Sequence, residues 1–182
     1  MPRTLLKPGS RKLLPGLFLP AALLLLFPSC IKEEKYSDIP EIRYQQFTLV
    51  YANDTVAYPF RGILSIYFQD GDGDIGLRAK DTLPPFNKDG DYYYNYVIRY
   101  FEKRDSAGYT EVILNPPYSA RLPILNQGYE GKPIKGVIVD TLELDPHPEF
   151  DTIRFELFIY DRALNKSNVL VTPVIALRRQ GR

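Results

Sequence analysis

Thr152-Ile153-Arg154-Phe155-Glu156-Leu157-Phe158-Ile159-Tyr160 is the stretch that decides the fold class. Ile153, Phe155, Leu157 and Ile159 fall on every second position, with Arg154 and Glu156 between them. A period of two places one apolar set on a single face of an extended chain, whereas a helix would scatter it. The same alternation recurs in residues 63–68, where Leu64, Ile66 and Phe68 share a face, and in residues 92–103, where Tyr94, Tyr96, Ile98 and Tyr100 do so. Shorter candidates cover residues 42–50, 109–114, 135–144 and 168–177. Val, Ile, Tyr, Phe and Thr dominate these segments, as strands require. Between them lie turn-forming groups: Asn53-Asp54, Asp70-Gly71-Asp72-Gly73, Lys88-Asp89-Gly90, Ser106-Ala107-Gly108 and the run from Gly128 to Pro133. No long amphipathic helix interrupts the strands, and no repeat of 20–50 residues is visible. The pattern predicts an all-β chain with a single antiparallel β-sandwich, a small barrel being the alternative.

The segment after the deciding strand, Tyr160-Asp161-Arg162-Ala163-Leu164-Asn165-Lys166-Ser167-Asn168, resembles the D-x-A-G-N-x-S corner that joins the last two strands of many bacterial immunoglobulin-like domains. Leu164 stands at the position of the glycine. The resemblance implies an immunoglobulin-like β-sandwich of about seven strands.

Composition narrows the function. The 182 residues carry 23 basic and 22 acidic side chains, with four of the basic ones at Arg3, Lys7, Arg11 and Lys12 and no acid before Glu33. The remainder is therefore slightly acidic, which argues against nucleic acid as a partner. One cysteine, Cys30, and one histidine, His147, exclude an internal disulfide and leave no set for a Cys/His zinc centre.

The order at the start is basic, then apolar, then small, then cysteine. Residues 13–27 are apolar apart from Pro15, Gly16 and Pro20, and fifteen residues reach only ~22 Å as a helix, short of a ~30 Å hydrocarbon core. That is the build of a secretory signal. Its end, Leu26-Phe27-Pro28-Ser29-Cys30, resembles the lipobox of bacterial lipoproteins, which implies lipidation of Cys30 with acyl chains such as palmitate. Cys30-Ile31-Lys32-Glu33-Glu34 resembles the export signal of Bacteroidetes-type surface lipoproteins, with Lys32, Glu33 and Glu34 as its reading residues. A cleaved signal followed by a coincidental cysteine is the simpler alternative. The expected organisation is a signal peptide at 1–29, a lipidated tether at 30–40, the sandwich at 41–178 and a basic tail at 179–182. The expected location is the outer membrane, facing the exterior, with the periplasmic face as the alternative.

One stretch carries chemistry. After residues 63–68 comes Asp70-Gly71-Asp72-Gly73-Asp74-Ile75-Gly76, with Asp81 further on. Three carboxylates at i, i+2 and i+4 on a glycine-rich loop converge, and a hard cation relieves their repulsion. The spacing resembles an EF-hand calcium loop: Asp70, Asp72 and Asp74 match positions one, three and five, Asp81 matches position twelve, and a carbonyl near Gly76 adds a ligand. Ile75 occupies the glycine position of that motif. Phe68 to Leu77 also resembles an F-x-D-G-D-G-D-I-G-L segment of small Bacteroidetes-type lipoproteins. A solvated turn rich in Asp-Gly pairs is the plain alternative.

The other polar groups favour structural readings. His147 lies between prolines, Asp89 and Asp91 suit turns, and Tyr92-Tyr93-Tyr94 suits packing better than a ligand platform. Glu143 with Asp145 is a conceivable hydrolase pair, but no nucleophile motif, zinc signature or phosphate loop accompanies it. The sequence therefore predicts a non-catalytic, calcium-stabilised lipoprotein anchored in the outer membrane. It would serve as a binding or accessory module for an extracellular ligand or an outer-membrane protein complex. An accessory subunit of an export or transport complex is the alternative, and a β-sandwich hydrolase a weaker one.

Overall fold

A computed structural model describes residues 35–53, 56–104, 107–128 and 131–178. Cys30, Lys32, Glu33 and Glu34, the signal segment and the basic tail lie outside the described residues. The body is all-β. Its strands are β1 (Glu41–Val50), β2 (Arg61–Asp70), β3 (Tyr96–Arg104), β4 (Gly108–Val112), β5 (Ile134–Glu143), β6 (Thr152–Ile159), β7 (Leu170–Val171) and β8 (Ile175–Ala176). Every strand pairing is antiparallel. One sheet has the order β1-β2-β5; the other runs β4-β3-β6-β7, with β8 also pairing with β6. Two open sheets form a β-sandwich and not a barrel.

The alternation read from the sequence is the alternation of burial. Leu64, Ile66 and Phe68 of β2 face Ile98 and Tyr100 of β3 and Ile153, Phe155, Leu157 and Ile159 of β6 in one core. Phe155 is the aromatic hub, with ring centroids 5.6 Å from Phe47 of β1, 5.7 Å from Tyr100 and 5.8 Å from Tyr118. Phe47 belongs to one sheet and Phe155 to the other, so this contact closes the sandwich.

Two expectations shift. The strand expected over residues 92–103 begins only at Tyr96. A Gly90 turn, closed by the Tyr93 N–H on the Gly90 carbonyl at 3.1 Å, carries the three tyrosines outside the ladder. Buried Asn95 then accepts the Leu122 N–H at 2.7 Å and fixes where β3 starts. Tyr92 packs edge-on against Tyr160, and Tyr93 against Tyr94. The final strand is two short pieces, β7 and β8. Pro173 has no N–H to give to the ladder between them, and Thr172 bridges instead, its N–H donating to the Phe155 carbonyl at 2.9 Å and its Oγ1 accepting the Phe155 N–H at 3.0 Å.

The corner after β6 is held by Asp161. Its Oδ1 accepts the Asn165 N–H at 2.7 Å and its Oδ2 accepts the Asn165 amide at 2.9 Å. Leu164 keeps the turn that a glycine would make, at φ 70°. A Cβ there crowds the following carbonyl, which costs about 1 kcal/mol or more. Leu164→Gly should therefore raise the unfolding free energy by up to about 1 kcal/mol, read by urea denaturation. Equal or lower stability would mean that the Leu164 side chain contributes packing that offsets the strain.

Candidate metal centre

β2 ends by delivering Asp70 to the closed end of the sandwich, fully buried. The chain then turns so that carboxylate oxygens of Asp70, Asp72 and Asp74 all come within 4.8 Å of one another. Two glycines make the turn. Gly73 has φ 66° and Gly76 has φ 115°, and a Cβ on Gly76 would sit 2.2 Å from the Pro123 carbonyl oxygen. Gly76 is thus explained by backbone conformation and close approach. Ile75, fully buried, is the reason the loop departs from the EF-hand pattern: it is a core residue, not a pivot. Its carbonyl accepts the Leu125 N–H at 3.2 Å, and the Leu77 N–H donates to the Leu122 carbonyl at 2.8 Å, which pins the far side of the loop.

Hydrogen bonds satisfy only part of the acid. The Asp74 N–H donates to Asp70 Oδ2 at 3.0 Å, and the Ala163 N–H donates to Asp74 Oδ2 at 3.0 Å. The Oδ1 atoms of Asp70, Asp72 and Asp74 are buried and accept no hydrogen bond. Three orphaned carboxylate oxygens in one small volume are costly, because each loses water without gaining a donor. Two ionised carboxylates about 4.8 Å apart also repel by roughly 3 kcal/mol at an effective dielectric of 20. The fold answers by retaining protons. Burial first, then the charges of Asp72 and Asp74, push the Asp70 carboxyl up to about 7. Burial, then Asp161 and Asp72, push that of Asp74 up to about 6.

Asp161 is the acid that the sequence reading left in the fold corner. It is buried, and its charge acts on Asp70 and Asp74 although it precedes β7 and they follow β2. Burial raises its own carboxyl, against the two hydrogen bonds from Asn165. No spacing in the sequence signals this; only closure of the sandwich brings the corner to the loop. Asp81 is engaged elsewhere. Its Oδ2 accepts the Arg78 N–H at 2.8 Å and pairs with the Arg162 guanidinium. Burial pulls its carboxyl upward, but the Arg162 and Arg78 contacts outweigh that and hold it below the ordinary carboxylate value. Among the described residues, the acids that converge are Asp70, Asp72 and Asp74, without Asp81.

Asp89 and Asp91 stay in the turn before β3, and His147 donates its N–H to Asp145 Oδ1 at 2.7 Å in an exposed loop. Asp145, with Glu143, borders a groove of about 530 Å³ formed with Leu114 to Tyr118. Glu143 is exposed and paired with Arg61 at 2.8 Å. The molecule is an antiparallel β-sandwich with three converging carboxylates at one end, Asp70 buried and Asp72 and Asp74 half-buried. No known protein family matches the chain, and neither a curated protein nor a solved structure does.

The triad sets a pH dependence. Asp70 at about 7, above the ordinary 3.8, binds its proton more tightly folded than unfolded. That contribution to stability is complete below about pH 4 and is lost as pH rises through 7, with Asp74 adding the same trend through about 6. In chelator, the melting temperature should fall between about pH 5 and pH 7.5, and Asp70→Asn should flatten the fall. A native curve that is flat or rises over this interval would contradict the strained state of the triad.

Proposed function

We propose that the chain is a non-catalytic lipoprotein, held in the outer membrane by acyl chains on Cys30 and displayed at the cell surface. Its sandwich is stabilised by one calcium ion bound through Asp70, Asp72 and Asp74, and it serves as a binding or accessory module. The observation that carries the calcium part is the set of three buried, unpartnered Oδ1 atoms. A hard cation supplies what those oxygens lack, and it removes their mutual repulsion in the same step. The carboxylate oxygens lie within 4.8 Å of one another, close enough for one hard cation to bridge. Calcium is favoured because it accepts six to eight oxygens in a flexible geometry, whereas magnesium demands a tight octahedron that a glycine-rich loop supplies badly.

The anchoring part rests on the lipobox-like run ending in the sole cysteine and on Lys32-Glu33-Glu34 after it. Among the described residues no helix is long and apolar enough to cross a membrane. Three acyl chains, each methylene worth about 0.8 kcal/mol when buried, are sufficient for stable attachment. The sequence carries no nucleophile motif, zinc signature or phosphate loop, which favours a role in binding or display over turnover.

The test is thermal melting of residues 31–182 in chelator and in millimolar calcium. At a calcium concentration of ~10 dissociation constants, linkage adds about 1.4 kcal/mol, which corresponds to a rise of a few degrees for a domain of this size. The rise should vanish in Asp72→Asn with Asp74→Asn and be smaller with magnesium. Identical curves with and without calcium would overturn the calcium assignment. For the anchor, Cys30→Ser should move the full chain from the membrane to the soluble fraction, and unchanged fractionation would overturn lipid attachment. Protease added to intact cells should degrade the native chain but spare a variant with alanine at Lys32, Glu33 and Glu34; equal protection of both would place the native protein on the periplasmic side.

A further inference from the structure

The sheet edges are unequal. β1 carries a register irregularity between Tyr44 and Gln46, and the Asn168 amide holds both backbone groups of Ile42 at 2.9 Å. β4 has five residues, and β7 and β8 two each. β5 is different: ten residues in unbroken register with β2, no proline, and no second strand partner among the described residues. Long regular edges of this kind are templates for pairing, and proteins usually blunt them.

The open groups on that edge are identifiable. The Leu144 N–H donates to the Phe60 carbonyl at 2.9 Å, so even-numbered residues of this segment turn their backbone toward β2 and odd-numbered ones turn outward. Two outward groups are already engaged: the Thr141 N–H by Asp140 Oδ1 at 2.8 Å, and the Glu143 carbonyl by the Tyr118 hydroxyl at 2.6 Å. Among the described residues, the outward groups of Val137 and Val139 and the Thr141 carbonyl have no partner. Beside them the Val137 and Val139 side chains are 50% and 63% exposed on the outer face of the sheet.

We propose that β5 pairs with β5 of a second copy of this chain, antiparallel about a twofold axis at Val139, to make one continuous six-stranded sheet. The strand is complementary to itself in this register. Val139 opposes Val139, Val137 opposes Thr141, and Lys135, which lies 5.9 Å from the Tyr36 ring of its own chain, opposes Glu143, which also keeps its 2.8 Å pair with Arg61. Sliding by one pair in one direction sets Lys135 against Thr141 and loses both charge pairs. Sliding in the other sets Asp140 against Asp140, which repels. In the chosen register the Val139 residues exchange two hydrogen bonds, and each Val137 N–H reaches the Thr141 carbonyl of the other copy. These four bonds form with Asp140 and Tyr118 left in their present contacts.

The experiment uses the whole chain in mild detergent, with Cys30→Ser so that an introduced cysteine is the only one. A hydrogen-bonded antiparallel pair has a Cα separation of about 5.5 Å, inside the disulfide range, whereas the two Val137 positions would be about 13 Å apart. Val139→Cys should therefore cross-link to itself under mild oxidation at least about tenfold more than Val137→Cys or the 84% exposed Ile113→Cys. In sedimentation, Lys135→Glu should weaken the dimer by roughly tenfold through two like-charge pairs, and adding Glu143→Lys should restore it. A Val139→Cys chain that stays monomeric, cross-links no better than the two controls, or is captured by a different protein would overturn the pairing with a second copy. Failure of the double charge reversal to restore the dimer would overturn the register.

Discussion

Negative charge without enough partners, held at the closed end of a sandwich, is the constraint on which the rest of this structure depends. β2 carries Leu64, Ile66 and Phe68 through the core and then delivers Asp70 where water does not reach it. Every segment around that end is placed by what the following loop does. The Gly71 N–H donates to the Ser37 carbonyl at 2.8 Å, and Leu77 joins residue 122. The corner after β6 gives its Ala163 N–H to Asp74. The entry to β1, the β2–β3 connection and the last corner therefore meet at one acidic point. Burial and mutual repulsion favour protons on Asp70 and Asp74, and in the proposed cation-bound state the same oxygens would serve as ligands.

This arrangement links the proposed anchor to the proposed ion. Residues 36–38 precede β1 directly, and they lie against the loop that Asp70 opens: a Cβ on Gly71 would stand 2.5 Å from the Tyr36 carbonyl oxygen. The Asn165 side chain, held by Asp161, reaches toward the Asp38 carbonyl. An ion at the triad would stiffen the segment that leads into β1. The far edge of the same sheet, at β5, remains available for lateral pairing.

The strands were legible in sequence because each buries one face, and period-two alternation records that directly. Residues 42–50 and 135–144 match β1 and β5 to within a residue or so at each end. Convergence of Asp70, Asp72 and Asp74 was legible too, since alternate residues on a glycine-softened turn stay close in space. What failed was whatever depends on tertiary closure. Tyr92 to Tyr94 alternate like a strand, but the Gly90 turn and buried Asn95 claim them first. Asp81 has the spacing of a closing ligand, yet Arg162, from the corner after β6, takes its carboxylate. Asp161 has no spacing signal at all, because it reaches the triad only when the second sheet packs on the first. Leu164 could be flagged as a departure from glycine, but its sequence could not tell that the left-handed turn would persist.

One cation on three converging carboxylates is the claim from which the rest of the functional reading follows, and calorimetric titration of calcium into metal-free residues 31–182 tests it most directly. The expected result is one ion per chain with a dissociation constant around 10⁻⁴–10⁻³ M. Because binding expels protons from Asp70 and Asp74, the heat near neutral pH should change with the ionisation enthalpy of the buffer, and Asp70→Asn should weaken binding. No saturable heat, or binding that Asp70→Asn leaves intact, would contradict a calcium site at the end of β2.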